Sequence, residues 1–166
     1  MRIYIASDHA GFDLKKVLIE HLKSEGKEVE DCGAFQYDEA DDYPDFIYPC
    51  AQKVANDTGS LGIVIGGSGQ GEAMVANKAK GARAAVFYGV VMPQGAVDIT
   101  GRTSEDPLEM LRLTREHNDA NVLSLGVRFL TVDQAKEAVD AWIGAKFTAE
   151  ARHVRRIEKI KKFEEQ

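Results

Sequence analysis

Apolar residues along the chain follow two alternating periods. Five short segments predict strands at 2–6, 27–31, 61–65, 82–88 and 121–125, the run 61–65 being apolar and rich in β-branched residues and 27–31 the more weakly marked. Between them, apolar positions recur every three to four residues, as in helices. In 12–25, Leu14, Val17, Leu18 and Leu22 share one helical face, and Gly26 stops the helix. The segment 46–56 offers Val54 and Ala55 to a core, Pro49 marks its first turn or a kink, and Thr58, Gly59 and Ser60 end it. A short helix is predicted at 72–80. From Pro107, a residue suited to the first helical position, Leu108 and Leu111 carry a helix toward 119. Over 131–143, Val132, Ala135, Val139 and Trp142 form the buried face, with Thr131 as N-cap. The last helix covers 149–163. Only 89–106, with Pro93, Gly95 and Gly101, shows no period; it reads as a long loop of the kind that serves as a lid or contact surface.

Strands alternating with helices imply right-handed crossovers and a parallel sheet covered on both faces. The 166 residues suit a single domain over 1–166. A net charge of −6 argues against general nucleic-acid binding, and the longest apolar runs are too short to span a membrane. Cys32 and Cys50 are the only cysteines and lack zinc-ligand spacing, so reduced thiols in a cytoplasmic protein are the expectation.

Parallel α/β sheets bind ligands outside the carboxyl ends of their strands. That rule gathers Asp8 and His9 after the first strand, the glycine-rich turn 66–71 after the third, and Arg128 after the fifth. In the turn, Gly66, Gly67, Gly69 and Gly71 surround Ser68 and Gln70 and lead into a helix, an arrangement that aims backbone N–H groups at one spot. A Walker A loop would need a lysine where Glu72 stands, and a dinucleotide fingerprint starting at Gly67 would need a glycine there. A turn whose glycines serve tight geometry alone is the alternative. The carboxylate of Glu72 directly after an anion-friendly turn points instead to acid–base chemistry.

Further candidates are less local. Asp8 could cap the following helix, and His9 could be a surface group. His117 and Asn118 share a helix end; His21 has no evident pocket face. Arg152 and Arg156, four apart on the last helix, put like charges on one face, which suits a phosphate or a solvated surface paired with Glu150 or Glu158. The same helix carries an apolar stripe of Val154, Ile157, Ile160 and Phe163 that needs a partner, in its own domain or in a second subunit. The acidic stretch 36–45, with Asp38, Glu39, Asp41, Asp42 and Asp45, reads as a solvated loop, although Tyr43 beside Pro44 could face a pocket.

In order along the chain, Ser7-Asp8-His9-Ala10-Gly11, Asp42-Tyr43-Pro44, Gly66-Gly67-Ser68-Gly69-Gln70-Gly71-Glu72, Ala76-Asn77-Lys78, Arg115-Glu116-His117-Asn118 and Arg152-His153-Val154-Arg155-Arg156 together resemble the type B ribose-5-phosphate isomerases of the ribose/galactose isomerase family. The resemblance spans nearly the whole chain except about 90–106, which looks like an insertion. It implies a Rossmann-like α/β sandwich with a five-stranded parallel sheet, no metal or organic cofactor, and a homodimer with active sites shared between subunits, or a dimer of such dimers. Where many members carry a cysteine base, this chain has Gly66, so Glu72 is the implied proton shuttle. By the same resemblance, Ser68, Gly67, Gly69 and Gly71 cradle the enediolate oxygen, His117 assists ring opening and Asp8 contacts the ring oxygen or a hydroxyl. His9, Arg152 and Arg156 grip the phosphate, Asn118 and Tyr43 meet the sugar, and Arg128 supports the pocket's charge. The implied substrate is ribose 5-phosphate; a six-carbon sugar phosphate and a non-catalytic sugar-phosphate-binding module are the alternatives.

Overall fold

The most apolar run becomes the middle of the sheet. In a computed structural model describing residues 1–165, β3 (Leu61–Gly66) is buried at every position. It lies between β1 (Arg2–Ser7) and β5 (Val122–Gly126), with β2 (Glu28–Asp31) and β4 (Ala84–Phe87) at the edges. All four pairings are parallel, and the register sets Ser7 opposite Ile65, Gly66 opposite Gly126, and Phe87 opposite Leu125. An all-parallel sheet must be covered on both faces. Side chains alternate accordingly: Ile3, Ile5, Ile63, Ile65, Leu123 and Leu125 point one way, and Tyr4, Ala6, Val64 and Val122 the other.

The first face receives α1 (Phe12–Ser24), α4 (Glu109–Asn118) and α5 (Val132–Gly144); the second receives α2 (Pro44–Asn56) and α3 (Gln70–Ala76). The result is the expected three-layer α/β/α sandwich. The terminal helix α6 (Ala151–Phe163) lies against α4. α5 starts as expected at Thr131, whose hydroxyl accepts the Gln134 N–H while the Gln134 side chain accepts the Thr131 N–H.

Several boundaries differ from the pattern-based expectation. α2 begins earlier, at Pro44, so Pro49 falls beyond the first turn. Pro107 does not start α4: it lies in a turn held by Asp106, which accepts the Leu108 N–H (2.8 Å) and pairs with Arg112 (2.7 Å). α3 is displaced toward the chain start and gives way to turns after Ala76. Val132 is 45% exposed; Ala135, Ala138, Val139 and Trp142 make the buried face instead. The segment 89–106 is irregular as expected, but it is pinned along α4, where Arg102 meets Asp98 (3.1 Å), Glu109 (2.8 Å) and Glu116 (3.6 Å).

Candidate active site

The connection after β1 turns toward α1 on one face, and the connection after β3 turns toward α3 on the other. Their divergence opens a crevice at the carboxyl edge of the sheet, the place where such folds bind ligands. The glycine turn forms one wall. Gly69 has a left-handed backbone (φ 75°), and a side chain on Gly126 would meet the Ser68 carbonyl at 2.6 Å. The turn is therefore pressed onto the end of β5. Ser124 Oγ donates to the Gly69 carbonyl (2.6 Å), and the Arg128 N–H donates to the Gly67 carbonyl (3.1 Å). Ser68 Oγ accepts the Gln70 N–H (3.3 Å).

Glu72, in the first turn of α3, is only 4% exposed. Its carboxylate folds back over Gly66 and occupies the volume a side chain there would need. A Cβ built on Gly66 would sit 2.8 Å from Oε2 and closer still to Oε1. Burial raises the pKa of Glu72, and neighbouring Asp8 adds to the rise. The backbone N–H groups of Glu72 and Gly69, together with Arg128, oppose it. Between the helix terminus, which favours the ionised form, and burial, which opposes it, burial prevails.

The other expected crevice residues converge here. Asp8 is buried and accepts the Gly11 N–H (3.2 Å), so it braces the turn into α1 as well as facing the site. The Arg128 guanidinium lies over Gly67 and the Tyr43 ring over Gly71. His9 Nδ1 is 2.6 Å from Asp41 Oδ1, which also accepts the His9 N–H (3.1 Å). That hydrogen bond raises the pKa of His9; partial burial and Arg128 lower it, and Asp8 raises it. Asp8, His9 and Asp41 bring possible ligand atoms within 4.8 Å of one another. His9 Nδ1 and Asp41 Oδ1 already bind each other, however, and the guanidinium of Arg128 disfavours a second cation nearby. Asp41 was hidden among the acidic residues of its loop, and nothing in the local pattern singled it out.

His117, Asn118, Arg152 and Arg156 are not in this crevice. α4 runs back from the carboxyl edge and ends just before β5 begins, so His117 and Asn118 stand at the amino edge. The length of β5 separates them from Gly126, on the order of 15 Å. There His117 stacks on His153 (centroids 4.3 Å, 12° between planes). Arg152 donates to His153 Nε2 (3.1 Å) and pairs with Glu150 (2.9 Å). Burial, then His117 and Arg152, lower the pKa of His153, consistent with an Nε2 that accepts. Glu158, an expected partner of the arginines, instead pairs with Lys161. A cavity of about 640 Å³ opens beside His117, lined also by Asp98, Arg102, Glu116 and Lys146. His153 was visible only as a member of a basic cluster; its stack on a residue 36 positions earlier has no local signature. His21, as expected, serves structure by pairing with Asp140 (2.9 Å). Asn77 likewise exchanges two hydrogen bonds with the backbone of Ala84.

A family model described as Ribose/Galactose Isomerase matches residues 3–99 and 106–160. The chain belongs to the ribose/galactose isomerase family. It is 43% identical over 164 residues to the ribose-5-phosphate isomerase B of Mycobacterium leprae, covering 99% of this chain and 90% of that one. Its fold is similar to the crystal structure of the Mycoplasma genitalium ribose-5-phosphate isomerase B with bound ribulose 5-phosphate (TM-score 0.84, 39% identity, 99% and 97% of the two chains). It is also similar to the solved structure of the Clostridium thermocellum ribose-5-phosphate isomerase B (TM-score 0.81, 39% identity, 99% and 98%). The family match skips 100–105, inside the loop that Arg102 holds against α4.

Proposed function

We propose that the protein interconverts ribose 5-phosphate and ribulose 5-phosphate, with Glu72 as the proton shuttle. The observation that carries this reading is a buried carboxylate with a raised pKa, folded against a glycine turn in the crevice. In the open-chain aldose, Glu72 takes the proton from C2 and the electron pair moves toward the carbonyl, giving an enediolate. The turn from Gly67 to Gly71 holds the oxygen that gains charge; the proton on O2 passes to O1, and Glu72 returns its proton to C1, leaving the ketone at C2. A positioned base contributes about 10²–10⁴-fold and an oxyanion donor about 10²–10³-fold, so the reaction needs both.

One chain holds only half of this site. Glu72, Asp8, His9, Tyr43, Ser68 and Arg128 belong to the carboxyl edge, whereas His117, Asn118, Arg152 and Arg156 stand at the amino edge. A homodimer that sets the carboxyl edge of one copy against the amino edge of the other unites them. The partner's His117 then opens the sugar ring, the partner's Asn118 meets the sugar, and the partner's Arg152 and Arg156 join His9 at the phosphate. The terminal helix supports such pairing: Ile157 is buried, while Ile160 (45% exposed) and Phe163 (71%) offer apolar surface. A cytoplasmic location suits the two free cysteines.

Turnover of ribose 5-phosphate in D₂O with deuterium arriving at C1 tests the chemistry; a sugar phosphate that binds but never exchanges its hydrogens overturns it. Glu72→Gln and His117→Ala variants test the shared site. Each alone is inactive, and random exchange of subunits in an equal mixture restores about a quarter of the sites. A mixture that exchanges subunits yet stays inactive excludes sharing. The loop at the His117 cavity supports a second reading, a six-carbon sugar phosphate, which kcat/KM on five- and six-carbon substrates separates.

A further inference from the structure

The acidic stretch 36–45 sends one carboxylate inward. Asp38, Glu39, Asp42 and Asp45 are exposed, but the side chain of Asp41 is only 7% exposed. The loop is built to hold it there. Asp38 accepts the Ala40 N–H through its side chain (3.0 Å) and the Asp41 N–H through its carbonyl (3.1 Å), and Tyr37 packs edge-on against Phe12. Asp41 Oδ1 takes both His9 contacts, Nδ1 at 2.6 Å and the backbone N–H at 3.1 Å. Asp41 Oδ2 is buried and has no hydrogen-bond partner among the described residues. A buried carboxylate oxygen left unsatisfied is a cost that folds rarely carry without a use.

We propose that Asp41 is a positioning residue for the phosphate site: it fixes the His9 ring and occupies Nδ1, leaving Nε2 as the ring nitrogen free to meet the phosphate. The inference rests on reading His9 as a phosphate contact. The charged groups facing His9 are Asp41 from its loop, Asp8 from the end of β1 and Arg128 from the turn after β5. Both carboxylates favour the imidazolium; Arg128 opposes it. With Asp41 neutralised, Arg128 would face a ring that has lost the neighbour that most favours its protonated form. The pair thus holds the ring in one orientation and favours its protonated form, the one whose Nε2–H donates to a phosphate oxygen.

The test is Asp41→Asn in the full chain, with Asp41→Ala alongside in case the amide disturbs the loop. NMR titration of the His9 ring in the free protein reads the pair without substrate. Its midpoint is expected to fall by at least about one pH unit, a tenfold loss of proton affinity. In steady-state assays with ribose 5-phosphate, KM is expected to rise about tenfold, with kcat within about twofold. The KM difference narrows as pH falls and the ring takes its proton in both proteins. An unchanged His9 titration overturns the proposal alone. A titration that falls while KM stays at the wild-type value in both Asp41→Asn and His9→Ala overturns the phosphate role of His9, and the functional half of the proposal with it.

Discussion

Replacing Gly66 with alanine displaces the proposed base without altering it chemically. The backbone of Gly66 is not in the left-handed region, so an alanine is conformationally acceptable there. Its Cβ, however, would lie 2.8 Å from Glu72 Oε2 and closer to Oε1 and Cδ. Non-bonded contacts settle near 3.5–4.0 Å, so the carboxylate must retreat by roughly 1 Å or more. The strand cannot yield instead: Gly66 is buried and paired with Gly126, which is itself pressed against Ser68. A displacement of about 1 Å costs a catalytic group about 10²-fold, and complete loss of the base about 10²–10⁴-fold. The expected kcat of Gly66→Ala is therefore lower by about 10²-fold or more, near 2.7 kcal/mol of barrier. KM should change little, because His9, Arg152 and Arg156 do not touch Gly66. Initial rates in both directions, with deuterium exchange at C1, measure this. A folded Gly66→Ala enzyme with kcat within about threefold of wild type would refute the placement of Glu72 as base.

Burial holds Glu72 above its ordinary pKa, so the acid limb of kcat/KM should lie above that of a free carboxylate, near pH 4.3; a limb at that value contradicts the argument. The folded state then binds this proton more tightly than the unfolded state, a contribution present at low pH and lost as pH rises through the folded pKa. Glu72→Gln should consequently abolish turnover while keeping Tm at pH 7.5 equal to or above wild type, and a lower Tm counts against the buried charge. His153 has the opposite linkage. Its folded pKa is depressed, so stability falls as pH drops below about 6.5 and the unfolded chain takes the proton first; His153→Phe should flatten the Tm profile between pH 7 and 5.5. Finally, Ile160→Asp with Phe163→Asp should shift the protein to monomers in sedimentation and reduce activity in parallel; an unaffected active dimer rules out this face of α6 as the interface.

The sequence by itself determined the alternating strands and helices, the N-cap at Thr131, the parallel sheet, and the strand–glycine turn–Glu72 unit. These follow from backbone periods of 2 and 3.6 and from short-range chemistry that any local window contains. Helix starts were read less well where a side chain a few residues away decides them, as Asp106 does for α4. Tertiary structure alone decided which acid of 36–45 turns inward to His9, that His153 stacks on His117, and that burial outweighs the helix terminus at Glu72. It also decided that Glu72 and His117 lie at opposite edges of one sheet. A loop has no period to show which of its side chains points inward, and two residues 45 positions apart carry no mark of which sheet edge each will reach. Both are settled only when the layers pack and strand length becomes a distance in space.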